Sequence, residues 1–169
     1  MGDDATSLTQ PVLLDNTVLT NLALAGRDDL AKSLWPSRAC TTPSTLNKYR
    51  AGAASGLVPF DCWDGLAVAV LTEEEVAFAR LLPPRLGAGE RECLAVAVHR
   101  HGLLASDDLD VRRIAQANGV PRTGTVGILV LCVRRGYLAR DQANALLSEM
   151  IALGYRSPVT SLDLVLDKP

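Results

Sequence analysis

Aromatic residues are scarce, at 4% of the chain, so its core must be built from Ala, Leu and Val. Lysine is nearly missing. It occurs only at 32, 48 and 168, and arginine carries the rest of the positive charge. There is no basic excess either. The net charge is −2, so no overall positive field advertises nucleic-acid binding. The cysteines Cys40, Cys62, Cys93 and Cys132 form no C-x-x-C pair, which removes the common zinc and dithiol patterns. Cys93 and Cys132 stand in apolar helical runs and read as buried small hydrophobes in a reducing, cytoplasmic setting. No apolar run reaches the roughly 20 residues of a membrane span. The polar, acidic N-terminus lacks the apolar stretch of a signal peptide. The Gly-x-Gly at 87–89 lacks the dinucleotide fingerprint, and there is no P-loop.

What remains is a chain of 169 residues, 48% hydrophobic, which suits one domain with a sizeable core. Short apolar runs at 11–14, 39–41, 66–71, 103–106 and 121–123 read as strands. Segments with helical periodicity separate them at 17–25, 28–34, 42–52, 72–82, 90–100 and 108–118. Two more helices are expected at 124–135 and 140–153. Thr42-Pro43 is a good helix start, and Thr72-Glu73-Glu74-Glu75 is a capping box. This alternation predicts an α/β fold with a mainly parallel central sheet flanked by helices. Residues 1–10 read as a flexible N-terminus, 11–155 as the domain and 156–169 as a C-terminal tail.

The acidic residues at the strand ends carry the functional signal. Asp15 closes the run Pro11-Val12-Leu13-Leu14. Asp107 and Asp108 close Leu103-Leu104-Ala105-Ser106, and Asp110 follows. Glu90 opens a helix after Gly87-Ala88-Gly89. Ligands of open parallel sheets bind outside the carboxyl ends of the strands. Carboxylates gathered there repel one another unless a cation sits among them, and hard oxygen ligands suit Mg²⁺ or Mn²⁺. The chemistry this points to is metal-assisted attack of water on a phosphodiester.

Leu13-Leu14-Asp15-Asn16-Thr17, Gly89-Glu90-Arg91-Glu92-Cys93-Leu94-Ala95-Val96-Ala97 and Leu104-Ala105-Ser106-Asp107-Asp108 occur in the order found in PIN domains, with a Thr-Pro-led helix between the first two. Gly124-Thr125-Val126-Gly127-Ile128-Leu129 resembles a branch related to toxin ribonucleases of bacterial toxin–antitoxin pairs. The resemblance spans about residues 11–155. It implies a three-layer PIN-like sandwich and a metal-dependent endoribonuclease in which Asp15, Glu90 and Asp108 hold Mg²⁺ or Mn²⁺. Asp107 or Asp110 would supply a further acid, and Glu92 is the weaker alternative to Glu90. Asn16 and Ser106 would orient the ligating carboxylates. An RNA substrate, a small antitoxin protein, a homodimer formed through the 17–34 helices and a cytoplasmic location are implied as well. One position departs from the family pattern. Lys48 stands where an acid is expected on the Thr-Pro-led helix, and its cation would weaken metal binding.

Each acid also has a plain structural reading. Asp15 and Asp108 could be helix N-caps, and Glu90 could simply favour a helix N-terminus. Arg112 and Arg113 could meet RNA phosphates or lie on a solvated face. Gly124 to Gly127 could present amides to a phosphate or make a tight, closely packed turn. The alternative function is a catalytically weakened PIN-like domain acting as a binding or assembly subunit, which Lys48 favours. A receiver domain would need a lysine at the end of its last strand, and none of the three lysines falls there.

Overall fold

The computed structural model describes residues 10–168. In chain order the elements are β1 (Val12–Leu14), α1 (Asn16–Leu24), α2 (Asp29–Leu34), β2 (Ala39–Thr41), α3 (Pro43–Ala54), β3 (Ala67–Val68) and α4 (Glu73–Leu81). There follow α5 (Ala88–His99), β4 (Leu103–Ala105), α6 (Leu109–Ala117), β5 (Arg122–Thr123), α7 (Thr125–Arg134), α8 (Arg140–Ala152) and α9 (Asp163–Leu166). The strands form one parallel sheet in the order β3-β2-β1-β4-β5. The flexible N-terminus expected at 1–10 lies, apart from Gln10, outside the described residues.

Side chains alternate across β1, and this alternation sorts the core into two layers. Val12 and Leu14 point into one cluster, with Val18, Leu19 and Leu22 of α1, Ile128 and Leu129 of α7, and Leu147 and Met150 of α8. Leu13 points into the other, with Leu94 and Val96 of α5 and Val111 of α6. All three β1 residues have zero exposure. That explains why the strand is wholly apolar rather than alternating: a parallel strand covered on both faces has no solvent side. Burying each leucine contributes about 1.5–3 kcal/mol.

Two elements differ from their sequence reading. The run 66–71 pairs only over Ala67–Val68, because β3 is an edge strand whose sole neighbour, β2, is itself three residues long. In the segment 156–168, Leu162 is fully buried in the α1/α7/α8 layer and α9 follows it. Tertiary packing orders a stretch whose own sequence carries little periodicity.

Candidate functional site

The register of β1 on β4 sets Leu14 opposite Ala105, so both strands end together and release their next residues on one edge of the sheet. The Asp15 amide donates to the Ala105 carbonyl at 2.9 Å. The Ser106 hydroxyl donates to Asp15 Oδ2 at 2.7 Å, and the Asn16 amide donates to Oδ1 at 2.7 Å. Asp15 is 2% exposed. Burial pushes its carboxyl pKa up, the Ser106 and Asn16 donors pull it down, the neighbouring Glu90 charge raises it and the Lys48 ammonium lowers it. A charge kept here needs positive company.

Glu90 lines the same cleft as Asp15 because α5 starts against α3. Gly89 lies so close to α3 that a Cβ there would stand 2.9 Å from both Thr45 N and Thr45 Cα. Glu90 Oε2 accepts from the Gly87 amide at 2.8 Å, closing one side of a capping box. Asp15, Asn16, Lys48 and Glu90 line one cleft of about 140 Å³. Lys48, from the exposed side of α3, contributes the cleft's only cation among the described residues and forms no ion pair within 4 Å.

Asp108 stands on the other side of Ser106, whose hydroxyl accepts from the Asp108 amide at 3.2 Å. Asp108 Oδ1 caps α6, accepting from the amides of Asp110 at 2.8 Å and Val111 at 3.0 Å. Asp108 lines a second, larger groove of about 920 Å³ that shares Asn16 with the cleft. Asp107 and Asp110 line the same groove. Asp107 is a structural hub. It accepts from Asn21 Nδ2 at 3.0 Å, from the Thr125 amide at 2.8 Å, from Thr125 Oγ1 at 2.5 Å and from the Tyr155 hydroxyl at 3.2 Å. Asp110 is held in a two-bond ion pair by Arg85, at 2.6 and 3.0 Å. The structure therefore brings Asp15, Glu90 and Lys48 into one cleft. It joins Asp108 to them through Ser106 and gives Asp107 and Asp110 protein partners.

Other acids have structural work. Glu92 accepts from the Ser44 amide at 2.9 Å and the Ser44 hydroxyl at 2.5 Å. It caps α3 from α5, and Thr42, the expected cap, makes no side-chain capping bond. Glu75 completes the capping box with Thr72 and pairs with Arg100 at 2.7 Å. Gly124 packs tightly, since a Cβ there would lie 2.6 Å from both Arg112 and Asp107. The Thr125 amide donates to Asp107 and is not available to a phosphate. Burial raises the Cys40 thiol pKa to about 12 and lifts that of Cys93 still further, so both are inert. Arg156, Tyr155 and Asn21 also border the large groove. No local pattern marks them, because only the fold brings them beside Asp107.

The donor set consists of oxygen atoms alone. Asn16 Oδ1 is buried without a hydrogen-bond partner, an unsatisfied acceptor on the residue common to both cavities. Among the described residues no three His, Cys, Asp or Glu side chains converge to hold a metal ion unaided. Two carboxylates and an amide oxygen nevertheless fit a small hard cation, because Mg²⁺ keeps several waters and is commonly bound through one or two carboxylates.

A protein-family model described as a PIN domain matches residues 11–168. Searches of curated proteins and of solved structures return no match. The match covers nearly the whole chain, and the chain belongs to the PIN-domain family. The five-stranded parallel sheet between two helical layers is consistent with the PIN-like sandwich. PIN domains are nucleases as a family and generally use divalent metal ions. Among the described residues no helix is long and apolar enough to cross a membrane.

Proposed function

We propose that this PIN-domain chain is a metal-dependent endoribonuclease of toxin type, acting in the cytoplasm. In this reading it forms a homodimer and is restrained by a small antitoxin protein. The observation that carries the reading is the joint release of Asp15 and Ser106 from adjacent parallel strands, with Glu90 across a narrow cleft. Asp15 and Glu90, with Asn16 Oδ1, would hold Mg²⁺ or Mn²⁺, and Asp108 would approach from the groove side. The bound ion would lower the pKa of a water molecule and offset charge developing on the phosphate. The chain's own residues supply position. Ser106 fixes Asp15 with its hydroxyl proton and Asp108 through its oxygen. The capping bond to Gly87 fixes Glu90.

Incubating the purified chain with single-stranded RNA and Mn²⁺ or Mg²⁺ tests this. Internal cleavage that chelator and Asp15→Asn both abolish supports it. Intact RNA under all metal conditions refutes it. A second reading has its own observation. Lys48 places an ammonium in the carboxylate cleft, which favours a weakened PIN domain that binds or assembles without cutting. Failure to cleave together with retained RNA or protein binding would select this alternative.

A further inference from the structure

We infer that the groove beside the acidic cleft is a lane for one RNA strand, in which Arg112 and Arg156, lining the same groove as Asp108, grip phosphates. The inference rests on the nuclease reading for the identity of the strand, but its residues and its test stand apart from cleavage. The groove encloses about 920 Å³, at the upper end of the range of roughly 300–1,000 Å³ seen for ligand cavities. That volume accommodates nucleotides of one strand. It meets the cleft at Asn16, so a strand lying in it would run past the carboxylates.

The hydrogen-bonding state of the groove's charges carries the argument. Three acids border it; protein donors take both oxygens of Asp107 and of Asp110 but only Oδ1 of Asp108. Asp107 has four such bonds, Asp110 has Arg85, and Asp108 caps α6. The two arginines have no such satisfaction. Among the described residues Arg112 makes one long contact, 3.4 Å, to the Ser106 carbonyl and pairs with no carboxylate. Arg156 is exposed on the loop after α8 and makes no hydrogen bond or ion pair among the described residues. The groove thus offers two guanidinium forks with free donors, the geometry that phosphate accepts in bidentate fashion. Leu109, 68% exposed, and Pro158 add an apolar surface on which a base can rest. The wall is set in advance, because the Tyr155 hydroxyl ties the Arg156 loop to Asp107. Binding then has the two arginine side chains to order rather than the loop backbone.

The test is fluorescence anisotropy of a short labelled single-stranded RNA with the full chain in chelator, where no cleavage interferes. Arg112→Ala and Arg156→Ala should each weaken binding about tenfold. The double variant should reduce the slope of log affinity against log salt by about 1.4, or roughly 0.7 for each phosphate that is no longer neutralised. Arg80→Ala, on the exposed side of α4 and outside the groove, should change neither quantity. Arg156 lies on an exposed loop and makes no hydrogen bond or ion pair among the described residues, so its variant stays interpretable if Arg112→Ala lowers the melting temperature. Wild-type binding in all the variants, tighter binding of duplex than of single strand, or no binding by the wild-type chain would each overturn the lane. The outcomes separate the two readings. Arginine-dependent binding without cleavage in Mn²⁺ upholds the lane and removes the nuclease. Cleavage and binding that ignore both arginines uphold the nuclease and remove the lane.

Discussion

A methyl group added at residue 89 should damage both the fold and the acidic cleft, whereas one added two residues earlier should do neither. A Cβ on Gly89 would stand 2.5 Å from Thr45 Oγ1 and 2.9 Å from Thr45 N and Cα. Favourable carbon contacts begin near 3.5 Å. The hydroxyl can rotate away, but the two α3 backbone atoms cannot, so α5 must retreat by at least about 0.5 Å. Overpacking of this kind costs about 1–3 kcal/mol. The gain in helix propensity from Gly to Ala offsets up to about 1 kcal/mol of that, leaving a net loss near 1–2 kcal/mol. In a chain of this length that lowers Tm by roughly 2–8 °C. A Cβ on Gly87 would meet only the Glu90 carboxylate, at 3.6–3.9 Å, and its backbone (φ −63, ψ 159) suits any residue. Gly87→Ala should stay within about 0.5 kcal/mol of the wild type.

Thermal melts of the two variants, with calorimetry for Mn²⁺, measure the contrast. Gly89→Ala should also bind Mn²⁺ more weakly, because the retreat carries Glu90 away from Asp15. Equal melting temperatures for the two variants would refute the close-approach argument. So would full rescue of Gly89→Ala by Thr45→Ala, since that change removes the hydroxyl and leaves the obstructing backbone in place.

Lys48→Glu replaces the cleft's ammonium by a carboxylate and should raise Mn²⁺ affinity tenfold or more, about 1.4 kcal/mol; unchanged affinity by calorimetry would show that Lys48 does not oppose metal. Glu75→Gln keeps the capping box but turns the charged hydrogen bonds with Arg100 into bonds to a neutral amide, and chemical denaturation at neutral pH should register a loss of about 1 kcal/mol. Burial alone would raise the Glu75 pKa, but the Arg100 guanidinium and the Thr72 amide outweigh burial and hold it below its ordinary 4.5. The ion pair's stability is therefore full above about pH 4.5 and is lost as pH falls through the lower folded value. The acid limb of the stability curve should be flatter in Glu75→Gln, and parallel limbs would contradict this. Glu90→Gln preserves the bond to Gly87 and should melt within about 0.5 kcal/mol of the wild type while losing Mn²⁺ affinity; retained affinity would remove Glu90 from the metal set.

The sheet was legible because its strands are buried on both faces. Continuous apolar runs such as Val12-Leu13-Leu14, followed by acids or turn residues, leave few alternatives. Edge strand β3 and the segment carrying α9 were less legible, because their extent depends on neighbours that local sequence does not encode. Asp15, Glu90 and Ser106 could be located from their places at element ends. The Glu92 cap on Ser44 and the Asp107 bonds to Asn21, Thr125 and Tyr155 could not. They join residues between 18 and 86 positions apart, and such pairs carry no local period.

The structural and functional readings of the acids compete in the sequence, and the structure makes them compatible. Glu90 Oε2 closes a capping box, and Asp108 Oδ1 caps α6. Asp15 Oδ1 accepts from the first amide of α1. In each case one oxygen is committed to a helix start. The second oxygens of Glu90 and Asp108 make no hydrogen bond among the described residues, and that of Asp15 meets the Ser106 hydroxyl. A carboxylate pinned by one oxygen loses little rotamer freedom when the other takes a ligand, so part of the ordering cost of binding is met during folding. Capping thus aims these side chains. It follows that alanine at 90 or 108 confounds two losses, of a cap and of a ligand, whereas Gln or Asn separates them. A series in which the amide variants keep their stability but lose metal affinity, and the alanine variants lose both, is the pattern expected if one carboxylate does both jobs.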